Sequence, residues 1–217
     1  MSIKALIFDL DGVIVDTAKY HYLAWKRLAD ELGFTFTIED NERLKGVSRV
    51  RSLEILLEIG GLNFEEKVKS ELATKKNVWY VEYILKMTPD EILPGVISFL
   101  EQAKEKGLKT AIGSASKNAK TILDRIDLLK YFDVIIDGNK VSKAKPDPEV
   151  FLLASEFFNV NPKECIVFED AEAGVEAALN GKMHVVGIGS EKNLGKADLV
   201  IPGFQNASLE TFLKLGY

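Results

Sequence analysis

The chain of 217 residues has one cysteine, Cys165, and two histidines, His21 and His184. A lone thiol excludes an internal disulfide, and its place in Cys-Ile-Val-Phe reads as a buried core side chain. Two histidines leave no Ser-His-Asp arrangement to read, and His184 leads into a strand, where a structural role fits better than a catalytic one. A basic excess is also missing. Lysine and arginine total 28 against 33 acids, a net charge of -5, which argues against a nucleic-acid binder but leaves local basic clusters for small anions open. No apolar run reaches the roughly 18 residues of a membrane span. Asp9 and Asp11 interrupt the N-terminus before a signal peptide could form. Internal repeats and low-complexity stretches are absent. The expectation is a cytoplasmic, monomeric protein whose partners are small molecules, with no nucleic acid and no membrane.

What is present is a packable chain, 47% hydrophobic, with one segment that stands out. Residues 3–17 read I-K-A-L-I-F-D-L-D-G-V-I-V-D-T. An uncharged run ends in Asp9 and Asp11, one residue apart, followed by Gly12. On a strand, side chains repeat every second residue, so the two acids are expected to aim the same way. Two desolvated acids repel unless a cation compensates them, so the pair predicts a metal at the rim of a sheet. A solvated Asp-Gly turn is the plainer alternative, but the apolar run before it and Asp16-Thr17 after it fit that poorly.

Two textures alternate along the chain. From Thr17 to Met87 the pattern is helical. Ala24, Leu28 and Leu32 share one face before Gly33, and Leu53, Leu56 and Leu57 mark a second helix before Gly60-Gly61. Asn63 and Glu66 have capping-box spacing for a third helix, with Val68 and Leu72 on its face. From Ile92 onward short apolar strands alternate with helices. Strands are predicted at 109–113, 134–136, 166–168, 185–188 and 199–201, and helices at 96–106, 119–129, 148–158 and 174–180. With the first strand at 3–8, this is an α/β protein, a parallel sheet covered by helices. The helical stretch, 17–91, interrupts a core of 1–16 and 92–217. Pro89 and Pro94-Gly95 mark the return crossing, so two adjacent crossings form a hinge.

Ligands of open parallel sheets gather beyond the carboxyl ends of the strands. The first strand brings Asp9 and Asp11 there. The second brings Ser114, with Ala115, Ser116, Lys117 and Asn118 at a helix start. Lys145 follows the third strand, and Glu169 with Asp170 ends the fourth. Three or four carboxylates suit a hard divalent cation, Mg²⁺ above all. A lysine and a hydroxyl suit phosphate oxygens. A carboxylate held on Mg²⁺ beside a phosphate site can attack phosphorus.

These motifs (DLDGV at 9–13, Ser114, Lys145-Pro146 and Glu169-Asp170) resemble the haloacid dehalogenase superfamily. H-Y-L-A-W-K, L-K-G-V-S-R at 44–49, Ser52, K-K-N at 75–77 and S-A-S-K-N at 114–118 resemble its β-phosphoglucomutase subgroup. The resemblance implies a Rossmann-like core with an inserted α-helical cap. It implies Asp9 as nucleophile, Asp11 as general acid and base, and Mg²⁺ on Asp9, the Asp11 carbonyl, Glu169 and Asp170. Ser114, Ala115 and Lys145 would hold the phosphoryl group in transfer. Arg49, Ser116, Lys117 and Asn118 would hold a second phosphate. Lys76 and His21 would orient the sugar. Lys45, Gly46, Val47 and Ser52 would line the cap face, and Thr17 with Asp16 would serve the hinge. Alternatives stay open for three of these. Arg49 could be an exposed helix-start arginine, Lys76 a solvated lysine, and His21 a ring stacked on Trp25 four residues on. The implied reaction interconverts β-D-glucose 1-phosphate and D-glucose 6-phosphate through an aspartyl phosphate and β-glucose 1,6-bisphosphate, which also serves as primer. A sugar-phosphate phosphatase is the rival, and a non-catalytic sugar-phosphate binder a third reading. Ala144 and Ala171 depart from the pattern, without loss of any charge or ligand.

Overall fold

A computed structural model describes residues 2–44 and 47–216. Six strands form one all-parallel sheet: β1 (Ala5–Phe8), β2 (Lys109–Gly113), β3 (Val134–Ile136), β4 (Cys165–Glu169), β5 (His184–Ile188) and β6 (Leu199–Ile201), in the order β3-β2-β1-β4-β5-β6. Both faces are covered, which is why the strands read as continuous apolar runs. Leu6, Phe8, Ile112, Ile166 and Phe168 belong to one core, covered by α5 (Val96–Glu105), α6 (Ala119–Arg125) and α10 (Leu209–Leu213). Ala5, Ile7, Ala111 and Val167 belong to the other, covered by α7 (Glu149–Phe158) and α8 (Glu172–Asn180). A one-turn helix, α9 (Glu191–Leu194), follows β5.

The register matters for what comes next. Phe8 pairs with Ile112 on β2 and with Phe168 on β4, and the Phe8 and Phe168 rings stack with centroids 4.8 Å apart. Asp9 and Glu169, the next residue on each strand, are therefore set side by side. The chain order reverses between β1 and β4, and a crevice opens at such a reversal.

Between β1 and α5 the described residues form four α-helices: α1 (Ala18–Leu32), α2 (Ile38–Glu42), α3 (Arg49–Gly60) and α4 (Glu66–Ile84). They form the predicted helical cap, with α1 packed against α3 and α4. The two crossings touch: Val15 bridges Ile92 antiparallel, and the Leu93 N–H donates to the Ile14 carbonyl at 3.0 Å. Among the described residues, no helix is long and apolar enough to cross a membrane.

Two local expectations fail. The predicted capping box at Asn63 and Glu66 is not formed; α4 starts after Glu65 with no side-chain cap, while Thr37 with Asp40 forms such a box at α2. The helix expected over 119–129 stops at Arg125, and Asp127 takes a positive φ of 58° before a short 3-10 turn at Leu129–Tyr131.

Candidate active site

Beyond Phe8 the backbone leaves the sheet and turns. The N–H groups of Ile14 and Val15 both donate to the Leu10 carbonyl. Leu10 stays in the core that holds Leu6 and Phe8, and Asp9 and Asp11 both line the cleft beyond the strand. Asp9 faces the crevice between β1 and β4, where its carboxylate clusters with those of Glu169 and Asp170, one oxygen of each within 4.8 Å of the others. The Asp11 carboxylate accepts a hydrogen bond from the Thr17 hydroxyl, at the foot of α1.

Lys145 closes the buried side of the cluster. Its Nζ donates to Asp9 Oδ1 at 2.6 Å and lies 3.6 Å from Glu169 Oε2. It also sits 4.8 Å over the Phe151 ring of α7, which fills the space that a side chain on Gly113 would need. Desolvation lowers the lysine pKa, but Asp9, Glu169 and Asp170 outweigh it and hold the ammonium above the ordinary range. Burial raises Glu169 well above the usual carboxylate range, and Glu169 Oε2 is buried without a hydrogen bond. One ammonium against three carboxylates leaves a surplus of negative charge on hard oxygen donors. That donor set fits a Mg²⁺ ion, whose charge it lacks.

Two glycines make the cluster sterically feasible, and sequence reasoning missed both roles. Gly12 adopts φ +81°, and a Cβ there would lie 2.1 Å from Asp170 Oδ2. A Cβ on Gly174, inside α8, would lie 1.7 Å from Glu169 Oε1. The DxDG motif pointed to Gly12 only as a turn. Nothing local marks Gly174.

Asp11 has a different electrostatic character. Burial first, then the Asp9 charge, pushes its pKa up to about 7 against the opposing pull of Thr17 and Lys145. A carboxyl poised there can give or take a proton near neutrality.

After β2 the chain presents a ladder of donors. The Ser116 N–H donates to Ser114 Oγ at 3.1 Å and the Asn118 N–H to Ser116 Oγ at 3.2 Å. Ser114 is buried, Ala115, Ser116 and Asn118 are half-buried, and Lys117 is exposed. All five line one cleft of about 1220 Å³ with Asp9, Asp11, Thr17, Lys145, Glu169 and Asp170.

The opposite wall is the helical insert. His21, Val47, Arg49, Ser52 and Lys76 all line this cleft; Lys45 and Gly46 lie outside the described residues. Lys76 is not the solvated lysine its Lys-Lys run allowed. It is 2% exposed and its Nζ lies 4.4 Å over Trp25 and 4.7 Å over Tyr80. It donates to His21 Nδ1 at 2.9 Å. Burial first, then Arg49, lowers the Lys76 pKa well below the usual lysine value. His21 stacks on Tyr80 at 4.1 Å, not on Trp25, and burial, Lys76 and Arg49 keep its ring neutral. Arg49 opens α3 half-buried, and no acid among the described residues pairs with it.

The comparisons agree with this geometry. The model for haloacid dehalogenase-like hydrolases matches residues 3–181. The β-phosphoglucomutase of Bacillus subtilis is 43% identical over 95% of this chain and 92% of its own. A phosphorylated carbohydrates phosphatase of Thermotoga maritima is 38% identical over 89% of each. The crystal structure of β-phosphoglucomutase from Clostridium difficile superposes with a TM-score of 0.94 at 42% identity, over 99% of this chain and 97% of its own. With acids, hydroxyl and lysine set around the β1–β4 crevice and a family match across most of its length, the chain belongs to the haloacid dehalogenase-like hydrolases.

Proposed function

We propose that this chain is a Mg²⁺-dependent β-phosphoglucomutase, converting β-D-glucose 1-phosphate to D-glucose 6-phosphate. The observation that carries the reading is a second cationic wall. Arg49 and Lys76 face the same cleft as Asp9 and Asp11, so a ligand there meets a phosphoryl-transfer centre at one end and phosphate donors at the other. A planar guanidinium with no acidic partner among the described residues is suited to a phosphate. A phosphate oxygen beside Lys76 would also favour its charged form.

In the proposed cycle an Asp9 oxygen bonds to phosphorus as the bond from phosphorus to the sugar oxygen breaks. Asp11 gives its proton to that departing oxygen. In the reverse sense, a sugar hydroxyl attacks the aspartyl phosphate while Asp11 removes its proton, forming β-glucose 1,6-bisphosphate. The bisphosphate turns end for end and returns its other phosphate to Asp9. Lys145 and Ser114, with the Ala115 amide, steady the group in transfer, since such chemistry is largely positioning and charge neutralisation. Asp9, Glu169, Asp170 and the Asp11 backbone carbonyl would hold Mg²⁺, which supplies charge compensation for the phosphoryl oxygens. Ser116, Lys117 and Asn118 join Arg49 at the far phosphate. His21 and Lys76 orient the sugar, while Val47 and Ser52 line the cap face. The cap, 17–91, rocks against 1–16 and 92–217 at the paired crossings, with Thr17 and Asp16 at the hinge. On this reading the enzyme works in the cytoplasm as a monomer.

The test supplies Mg²⁺, β-glucose 1-phosphate and a trace of bisphosphate, and follows glucose 6-phosphate and free phosphate separately. Isomerisation with little phosphate release is expected. Stoichiometric release without isomerisation would make the protein a sugar-phosphate phosphatase, the activity named in the Thermotoga relative.

A further inference from the structure

We propose that Asn77, on α4 of the insert, is a positioning residue that couples the seating of the insert to the order of the phosphate-binding loop. The reaction it serves is the mutase cycle proposed above. Asn118 Nδ2 donates to Asn77 Oδ1 at 3.1 Å. This bond crosses the cleft from the residue preceding α6 to the insert, and both asparagines are half-buried in the cleft lining.

Behind Asn118 lies the donor ladder already described. Its backbone N–H holds Ser116 Oγ, and the Ser116 N–H holds Ser114 Oγ. Each hydroxyl accepts from a backbone amide and keeps its own proton for a phosphate oxygen. The string thus runs from Ser114, in the buried transfer centre, through Ser116 to Asn118, and ends on a group supplied by the insert. Anchoring Asn118 fixes the end of the string. Releasing it frees the loop that must hold a phosphate in one place.

The chemistry of the pair suits a contact that forms and breaks. A hydrogen bond between neutral amides carries modest net energy, so it can be remade at each closure without trapping the enzyme shut. The Asn77 amide nitrogen donates to no protein group among the described residues, and so remains available to a ligand oxygen. Asn77 and Lys76 both line the cleft wall that the insert supplies.

The test compares wild type, Asn77→Ala and Asn77→Asp. Asn77→Asp keeps an acceptor for Asn118 Nδ2. For each, kcat and KM are measured for isomerisation of β-glucose 1-phosphate, with phosphate release in the same reaction, and for hydrolysis of p-nitrophenyl phosphate. Asn77→Ala is expected to raise KM for the sugar phosphate about tenfold and to send a larger share of turnovers to free phosphate. Aryl phosphate hydrolysis should fall by less than about threefold. Asn77→Asp, which keeps the acceptor for Asn118 but loses the amide donor and adds a charge, should recover part of the KM and, by circular dichroism, report on folding should the alanine variant not fold. A sugar-phosphate KM within about twofold of wild type in Asn77→Ala, or equal losses on both substrates with no recovery in Asn77→Asp, would overturn the proposal. If the wild type releases phosphate without isomerising, the mutase reading fails alone. Asn77 is then judged by the same tenfold expectation on the KM for sugar-phosphate hydrolysis.

Discussion

Lys145 donates a 2.6 Å hydrogen bond to Asp9, although 136 residues separate them in the chain. The pair is almost wholly buried, with side-chain exposures of 3% and 9%. Removing the ammonium would leave Asp9, Glu169 and Asp170 facing one another without it. Lys145→Ala is therefore expected to lower kcat by about a thousandfold or more, as loss of a preorganised cation does in charge-stabilised transfer. The variant should also need more Mg²⁺ for half-maximal rate. Steady-state kinetics over a Mg²⁺ series checks both, and a loss under tenfold with an unchanged Mg²⁺ requirement would refute them.

Gly174 offers a sharper test, because helix propensity and site geometry predict opposite results. Glycine to alanine inside a helix ordinarily stabilises by up to about 1 kcal/mol. Here the added Cβ would lie 1.7 Å from Glu169 Oε1, so the carboxylate must move. Gly174→Ala is expected to weaken Mg²⁺ by about tenfold, a typical cost of disturbing a metal site's surroundings, with thermal stability unchanged or reduced. Activity against Mg²⁺ concentration and a melting curve decide it. A more stable variant with wild-type Mg²⁺ response would show that Glu169 needs no such space.

That contact also shows what the sequence could and could not convey. The sheet was legible: β2, β3 and β6 occupy the residues that their apolar runs predicted, because a strand covered on both faces has a compositional signature. Asp9, Ser114, Lys145, Glu169 and Asp170 were legible as a set, since open parallel sheets direct strand ends to one crevice. The bond from Thr17 to Asp11 was not, because it arises in the turn after Phe8, where period-two reasoning ends. Gly12 and Gly174 escaped notice as space-makers, because the side chain that needs the space comes from 158 and five residues away. The His21, Trp25, Lys76 and Tyr80 box depends on α1 packing against α4, which helical periodicity suggests only as an apolar face.

Within that box His21 makes stability depend on pH. Burial and its cationic neighbours hold its folded pKa well below the ordinary value of 6.5. As pH falls below 6.5, the unfolded chain takes up a proton that the folded state refuses. Stability contributed above that pH is therefore lost on acidification, by up to ~1.4 kcal/mol per pH unit while the folded ring stays neutral. His21→Asn lacks this loss. Chemical denaturation of both proteins between pH 8 and 5 should show their stabilities diverging below pH 6.5 in favour of the variant. Parallel curves would mean that His21 protonates freely in the folded protein.

Lys76 sets function against stability. Its amine is buried among Trp25, Tyr80 and His21, with no carboxylate among the described residues bonded to it, and its pKa is lowered chiefly by that burial. Between the lowered folded value and the ordinary 10.5, the unfolded chain binds more protons, so stability rises with pH across that window. At pH 7 the folded protein carries the desolvation cost, offset in part by the two ring faces. Lys76→Met keeps the stem and removes the charge. It should melt higher at pH 7, by roughly 2–4 °C for each kcal/mol relieved in a chain of this size, and the gap should narrow toward pH 10. Isomerisation should fall by about tenfold or more, because the amine proposed to meet the sugar phosphate is gone. Melting curves at pH 7 and pH 10 beside the mutase assay give both readings. A variant that melts lower at pH 7 would show that the aromatic box stabilises the buried amine by more than its burial costs.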